Sequence, residues 1–348
     1  MAELFIIDHG NGQVKAKSSK RELIAKSAYT FADALGADIF EDATKLPADV
    51  HIYESAEQRG DKFAWGAGIV DAVHASQLIN SYTLDDRYNA QPYRLLTSMI
   101  LAELASDFGD TVEAVVVTGV PSAEYGTKAQ AQLEAALSGS HLVTRDGADI
   151  VVKVKEVHVL PQTVGALFVP IYEQKRSELK QAYVGVIDIG SGTAVADGYL
   201  KMKRQHGDSF TFNDGMMSVY KEIATTIKRD NPNVRPTVRD IERLLTDTAY
   251  DGTFRPTLRI EVDVEEIVNS AVNRYVQKLV GEINVEWPDV SKFDAIYLAG
   301  GGAHVVGKAL AKRLEGAHVL ADADTANLRG FQIYGETLLA KQAAQAGK

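Results

Sequence analysis

The stretch Tyr183–Tyr199, YVGVIDIGSGTAVADGY, decides the fold. Val184, Val186, Ile187 and Ile189 are β-branched, and such side chains favour a strand over a helix. They run into Asp188-Ile189-Gly190-Ser191-Gly192-Thr193 and then into a second apolar run. Strand, glycine-rich turn, strand is a hairpin whose backbone can come very close to a ligand. Glycine lets amide N–H groups face a phosphate with no Cβ in the way. An aspartate at the end of the first strand can hold a hydrated Mg²⁺, which keeps most of its waters and takes few protein ligands.

The same pattern stands near the N-terminus. Leu4–Ile7 is a short apolar strand that ends in Asp8-His9-Gly10-Asn11-Gly12-Gln13-Val14-Lys15. One such turn alone is weak evidence, since ordinary hairpins also use glycine. Two with a leading aspartate point to two similar half-molecules, each giving one phosphate clamp. Lys15 lies inside the first hairpin, where its ammonium can reach the β- and γ-phosphates as a point charge. Its plainer reading is a solvated strand lysine.

A third glycine run comes late in the chain. The apolar strand 293–298 (FDAIYL) leads into Gly300-Gly301-Gly302, and a helix follows. Three consecutive glycines cost backbone entropy, and a strand–glycine–helix junction suits the ribose and α-phosphate of a nucleotide. His304 just beyond carries no catalytic assignment. Gln162 sits in Leu160–Ala166, between a strand at 151–159 and a helix read as running to about Lys180. A polar side chain there can hold a water near a phosphate, or it can simply start the helix.

The 348 residues exceed one typical core, so two domains are expected. A hydrophobic share of 45% with 24% charged residues is that of a soluble globular protein. The net charge of −10 disfavours a broad basic surface for nucleic acid. With no cysteine, disulfides and thiolate metal sites are excluded. No secretory leader pattern is visible and no apolar run approaches the ~20 residues that span a bilayer, so a cytoplasmic location is expected.

Between the motifs, residues 21–70 read as a small, loop-rich subdomain in which Phe63 and Trp65 are packing residues. Helices are expected at 89–108, 127–137, 214–228 (capped by Asp214), 237–246 (capped by Thr237, with Asp240 in its first turn), 263–285 and about 325–344. Further strands are expected at 112–118, stopped by Gly119-Val120-Pro121, and at 151–159, 257–262 and 318–320. Lys201, Lys203 and Arg204 read as a solvated strand end.

Taken together, the ordered motifs resemble the actin-like ATPase superfamily. Asp8-x-Gly-Asn-Gly-Gln-Val-Lys15 resembles its first phosphate loop, Asp188-x-Gly-Ser-Gly-Thr193 its second, and Gly300-Gly301-Gly302 its nucleoside loop. Gln162 falls where the superfamily places its water-positioning residue. The compact length, Thr118-Gly-Val-Pro121, Leu160-Pro-Gln162 and Ala326-Asn327-Leu-Arg-Gly330-Phe331 resemble the plasmid-segregating actins of the ParM and Alp group.

The resemblance implies an α/β fold of two ribonuclease-H-like halves flanking a nucleotide cleft. The first half would span 1–164 with an inserted subdomain at about 21–90, the second 165–324 with one at about 215–285, and a C-terminal helix at 325–348 would pack back on the first. It further implies ATP or GTP with Mg²⁺, nucleotide-driven polymerisation, and plasmid DNA segregation through an adaptor of ParR type. Asp8 and Asp188 would orient the Mg²⁺ waters and Gln162 the attacking water. Gly10, Asn11, Gly12, Gln13, Lys15, Gly190, Ser191, Gly192, Thr193 and Gly300–Gly302 would bind nucleotide. A small-molecule kinase of the same superfamily and a cell-shape or phage filament are the competing readings.

Overall fold

Phe5, Ile6 and Ile7 are consecutive and buried, yet they serve two different cores. They lie in the strand Glu3–His9, and successive side chains of a strand point to opposite faces. Phe5 and Ile7 join a core that includes Leu96, Ile100 and Leu104 of the helix Gln91–Ala105. Ile6 turns the other way, against Val117, Leu328 and Phe331. The neighbouring strand Thr111–Val120 is sorted in the same manner, Val116 to the first core and Val117 to the second. A strand buried on both faces reads as a continuous apolar run, as both do here.

The computed structural model describes residues 2–36, 46–82 and 86–346. The chain forms two compact units, Met1–Gln162 with Leu328–Lys348, and Thr163–Asn327. The first unit holds β1 (Glu3–His9), β2 (Gln13–Lys17), β3 (Glu22–Lys26), β4 (Ala28–Phe31), β5 (His51–Ser55), β6 (Gln58–Trp65), β7 (Ile79–Asn80), β8 (Thr111–Val120), β9 (Gly139–Arg145) and β10 (Ala148–Pro161). Its sheet runs β3-β2-β1-β8-β10-β9-β5-β6-β4-β7, with β1, β8 and β10 parallel. Helices α1 (Gln91–Ala105) and α2 (Lys128–Leu137) belong to the same unit. Thr127 starts α2 by accepting the Ala129 amide on its hydroxyl, as a cap should.

The second unit follows from α3 (Gln162–Phe168): β11 (Tyr183–Ile189), β12 (Ala194–Leu200), β13 (Lys203–Phe212), α4 (Met216–Asp230), α5 (Val238–Thr246), β14 (Thr253–Thr257), β15 (Ile260–Asp263), α6 (Glu265–Glu286), β16 (Ala295–Ala299), α7 (Ala303–Ala311) and β17 (Ala317–Val319). Its sheet runs β13-β12-β11-β16-β17. Three strands are joined by antiparallel pairing, then two more add in parallel. The run β3-β2-β1-β8-β10 of the first unit has the same order and the same senses. The expected pair of similar α/β halves is therefore present as topology, without visible sequence identity. Helix α8 (Ala326–Ala346) closes the chain, and its Leu328 and Phe331 complete the second core of the first unit.

The structure departs from the sequence reading at several points. Helix α4 is not capped by Asp214: Gly215 holds the N-cap position with no side-chain cap. The expected strand 257–262 is a hairpin, β14 and β15, turning at Leu258-Arg259. The helix read to Lys180 breaks after Phe168 into a π-turn that contains Pro170, which lacks the amide needed to continue the ladder. Gly119 and Val120 continue β8 instead of stopping it. Residues 21–90 contribute five strands to the large sheet, although 37–45 and 83–85 lie outside the described residues. Phe63 and Trp65 are buried packing residues as expected, and Thr237 with Asp240 forms a capping box at α5.

Candidate functional site

The two glycine hairpins have one register. In the first, Asp8 pairs with Lys15 and His9 with Val14. In the second, Asp188 pairs with Val195 and Ile189 with Ala194. In each, the aspartate is the penultimate residue of its strand, and four residues separate the last paired positions, Gly10–Gln13 (Gln13 already opening β2) or Gly190–Thr193. Lys15 and Val195 thus hold equivalent places, and the first hairpin alone carries a cation opposite its aspartate.

At the first loop, Asp8 is half-buried and Lys15 is buried. Burial pushes the Asp8 carboxyl above its ordinary value, while the charges of Lys15 and Arg87 pull it back. His9 stacks flat on Tyr93, with ring centroids 4.1 Å apart. Its Nε2 shares a hydrogen bond of 3.1 Å with the Ser81 hydroxyl, which in turn meets the Ser27 hydroxyl at 2.8 Å. Burial, and then the Arg87 charge, hold the His9 imidazole well below its usual pKa and therefore neutral. The Ser27 amide donates to the Gly12 carbonyl at 3.2 Å, tying the loop to the start of β4. Asn11 Oδ1 is enclosed with no hydrogen-bond partner. An enclosed acceptor left unpaired costs about 1–3 kcal/mol, so its natural complement is a donor brought by a ligand.

At the second loop, Asp188 is buried, and Asn327 Nδ2 donates to its Oδ2 at 2.8 Å. The Asn327 Oδ1 accepts the Ala166 amide of α3 at 3.2 Å, so one side chain ties that helix to the carboxylate. The amides of Met216 and Met217, which open α4, donate to the carbonyls of Gly190 and Ser191 at 3.1 and 2.9 Å. That helix start therefore braces the loop's carbonyls. The glycine run lies beside the same strand end: the Gly302 amide donates to the Ile189 carbonyl at 2.9 Å. Gly300 adopts φ +84°, and a Cβ there would lie 2.2 Å from Asp188 Oδ1, so no other residue fits. Around Gly301 there is open space.

Gln162 is the first residue of α3, directly after β10, and is half-buried. The next residue, Thr163, belongs to the second unit and is buried in a polar cluster. Its hydroxyl donates to Asp197 Oδ2 and meets the Tyr199 hydroxyl at 2.7 Å, while Arg204 Nε donates to Asp197 Oδ1 at 2.7 Å. Arg204 is thus a half-buried partner of the buried Asp197 and not part of the solvated strand end expected. His304 is exposed, with Nε2 3.2 Å from Asp324.

The structure brings Asp188, Gly190 and Gly300–Gly302 together in the second unit, and Asp8, Gly10–Gln13 and Lys15 in the first. It adds two residues that sequence reasoning did not assign. Asn327 lies in a quoted motif, but no spacing links it to Asp188. Arg87 donates from Nη2 to the His9 carbonyl at 2.6 Å, from a stretch with no periodicity to mark it.

A sequence profile described as "Actin like proteins N terminal domain" matches residues 7–165. A second, "Archaeal actin homologue MreB-like, C-terminal", matches residues 186–312. Together they cover most of the chain. It belongs to the actin-like ATPase superfamily. Among solved structures, the actin-like fold recurs in the apo pSK41 ParM protein, 24% identical over 98% of both chains with a TM-score of 0.74. The 15-stranded ParM filament from Clostridium botulinum is 20% identical over 97% of this chain and 99% of that one, with a TM-score of 0.78. The archaeal actin homologue Ta0583 in complex with ADP is 16% identical over 96% and 99%, with a TM-score of 0.75. No curated protein sequence matches the chain. The actin-like assignment thus rests on the profiles and on the fold that these structures share. Among the described residues no helix is long and apolar enough to cross a membrane.

Proposed function

We propose that this protein binds a nucleoside triphosphate with Mg²⁺, polymerises in the bound state and hydrolyses the nucleotide, and that its filaments segregate plasmid DNA through a ParR-type adaptor. The observation that carries the reading is the shared register of the two hairpins, each with an aspartate two residues before the loop. A four-residue loop repeated at the same place in two equivalent sheets is hard to account for by packing alone. The partnerless Asn11 Oδ1 suits a polar ligand at the first loop, and the open space at Gly301 leaves room for one at the glycine run.

In this reading the loop amides of Gly10–Gln13 and Gly190–Thr193 hold phosphate oxygens, and Lys15 supplies a charge to them. Gly300–Gly302 allow the nucleoside close to the backbone. Asp8 and Asp188 orient waters of the metal; among the described residues no three His, Asp or Glu gather into an all-protein cage. Bound Mg²⁺ neutralises charge that develops on the phosphates. Gln162 orients the attacking water, so catalysis is a matter of positioning and electrostatics. An adaptor suits the acidic chain, whose net charge of −10 opposes direct contact with DNA.

The test is right-angle light scattering with Mg²⁺ on adding ATP or GTP, alongside phosphate release and chelator controls. The expected trace rises only with nucleotide and metal and decays as phosphate accumulates, and it reports the preferred base. A flat trace despite nucleotide binding overturns the filament reading and favours a small-molecule kinase.

A further inference from the structure

Arg87 is a half-buried cation with an incomplete set of partners. It opens the 3₁₀ turn Arg87–Asn89, and its Nη2 is fixed on the His9 carbonyl, between Asp8 and Gly10 in sequence. The rings of Tyr82, Tyr88 and Tyr93 lie 5.8, 5.3 and 5.2 Å from its Cζ. These rings and the carbonyl surround the guanidinium. Among the described residues no carboxylate stands within ion-pair distance of it, and its Nε is enclosed without a partner. A guanidinium withdrawn from water is costly unless an anion meets it. The enclosed and unpaired Asn11 Oδ1 belongs to the loop that follows the same strand end. The unpaired Nε of this cation describes a place that an anion such as phosphate would complete, whereas Asn11 Oδ1 is an acceptor and calls for a donor.

We propose that Arg87 is a second phosphate-binding cation at the first loop, its guanidinium taking phosphate oxygens of the bound nucleotide while Lys15 acts as a point charge. The planar fork gives direction to an interaction that an ammonium leaves loose. The inference rests on the nucleotide reading given above and adds a specificity-determining residue to it.

The experiment is calorimetric binding of ATP, ADP and adenosine (and of the guanine series) to the wild type, Arg87→Gln and Arg87→Lys, with Mg²⁺. Glutamine is two atoms too short for the bond that Nη2 makes to the His9 carbonyl, whereas lysine reaches nearly as far and can keep that anchor, so thermal unfolding of both variants checks that the loop stays folded. The expected result is that Arg87→Gln weakens triphosphate binding by about tenfold or more and leaves nucleoside binding unchanged. Arg87→Lys should recover part of the loss. Equal weakening of nucleoside and triphosphate would mark a structural role only, and unchanged triphosphate affinity would also overturn the inference while leaving the nucleotide reading intact. A wild-type protein that takes up no nucleotide removes both.

Discussion

Asn327 donates to the Asp188 carboxylate at 2.8 Å and is itself held by the Ala166 amide. A side chain at the start of the last helix thus holds the aspartate next to the end of the central strand of the second unit. Replacing it leaves a buried charge short of one donor, and a hydrogen bond to a charged group contributes about 1.5–3 kcal/mol. Asn327→Ala is expected to lose stability in that range in urea unfolding and to lower Mg²⁺-dependent phosphate release. Unchanged stability would show that Asp188 finds another donor at no cost.

Asp188→Ala is expected to abolish Mg²⁺-dependent hydrolysis, and normal turnover in that variant would sink its assignment. Gln162→Ala is expected to bind nucleotide and assemble while releasing phosphate more slowly. Loss of nucleotide binding in that variant would place Gln162 in a structural role.

The pair of buried Asp197 and half-buried Arg204 should be intolerant of half-removal. Asp197 is fully buried and holds both Arg204 and Thr163. Removing one partner of such a pair typically costs about 3–5 kcal/mol, because the other charge stays buried. Arg204→Met is therefore expected to destabilise strongly, and a joint Asp197→Leu, Arg204→Met variant should recover part of the loss. Equal effects in single and double variants would argue against coupling.

Two groups of the first unit set separate acid limits. Burial works against the charge of Glu103, but Arg145, the Tyr53 hydroxyl and Arg21 hold its carboxyl below the ordinary value. A depressed carboxyl contributes stability above the unfolded value, about 4.3, that is lost as pH falls through the folded one. His141 is held below the ordinary histidine value by burial, so the unfolded chain takes up its proton first and stability falls as pH drops below about 6.5. Denaturant unfolding between pH 7 and 3 should show a loss beginning below about pH 6.5 that His141→Gln reduces, the buried His9 supplying the remainder, and a loss at lower pH that Glu103→Gln reduces. A slope unchanged in both variants would assign acid lability to other groups.

The motifs were legible because their chemistry is local. Strand, glycine loop and leading aspartate are set by neighbours in sequence, and Thr237 with Asp240 caps α5 through a three-residue spacing. Gly300 could be read as special, but not its reason, since the atom that excludes a Cβ is Asp188 Oδ1, more than a hundred residues away. Asp214 was misread for a related cause: a local capping rule gave way to Gly215, which a distant loop crowds, Ser191 O lying 2.5 Å from where its Cβ would stand. Arg87 and Asn327 act through contacts that no short window contains. The hairpin β14–β15 was missed because its turn, Leu258-Arg259, carries neither glycine nor proline.

The first unit is assembled from two separated parts of the chain, with Leu328 and Phe331 of α8 covering Ile6 and Val117. On the ribosome, residues 163–327 emerge as one continuous length and can fold as a unit while the sheet that was made first still lacks that cover. One apolar face of β1 and β8 must therefore wait, exposed, until the last helix is synthesised. A transcript cut short before α8 would yield a chain with that face open, a substrate for chaperones and a seed for aggregation.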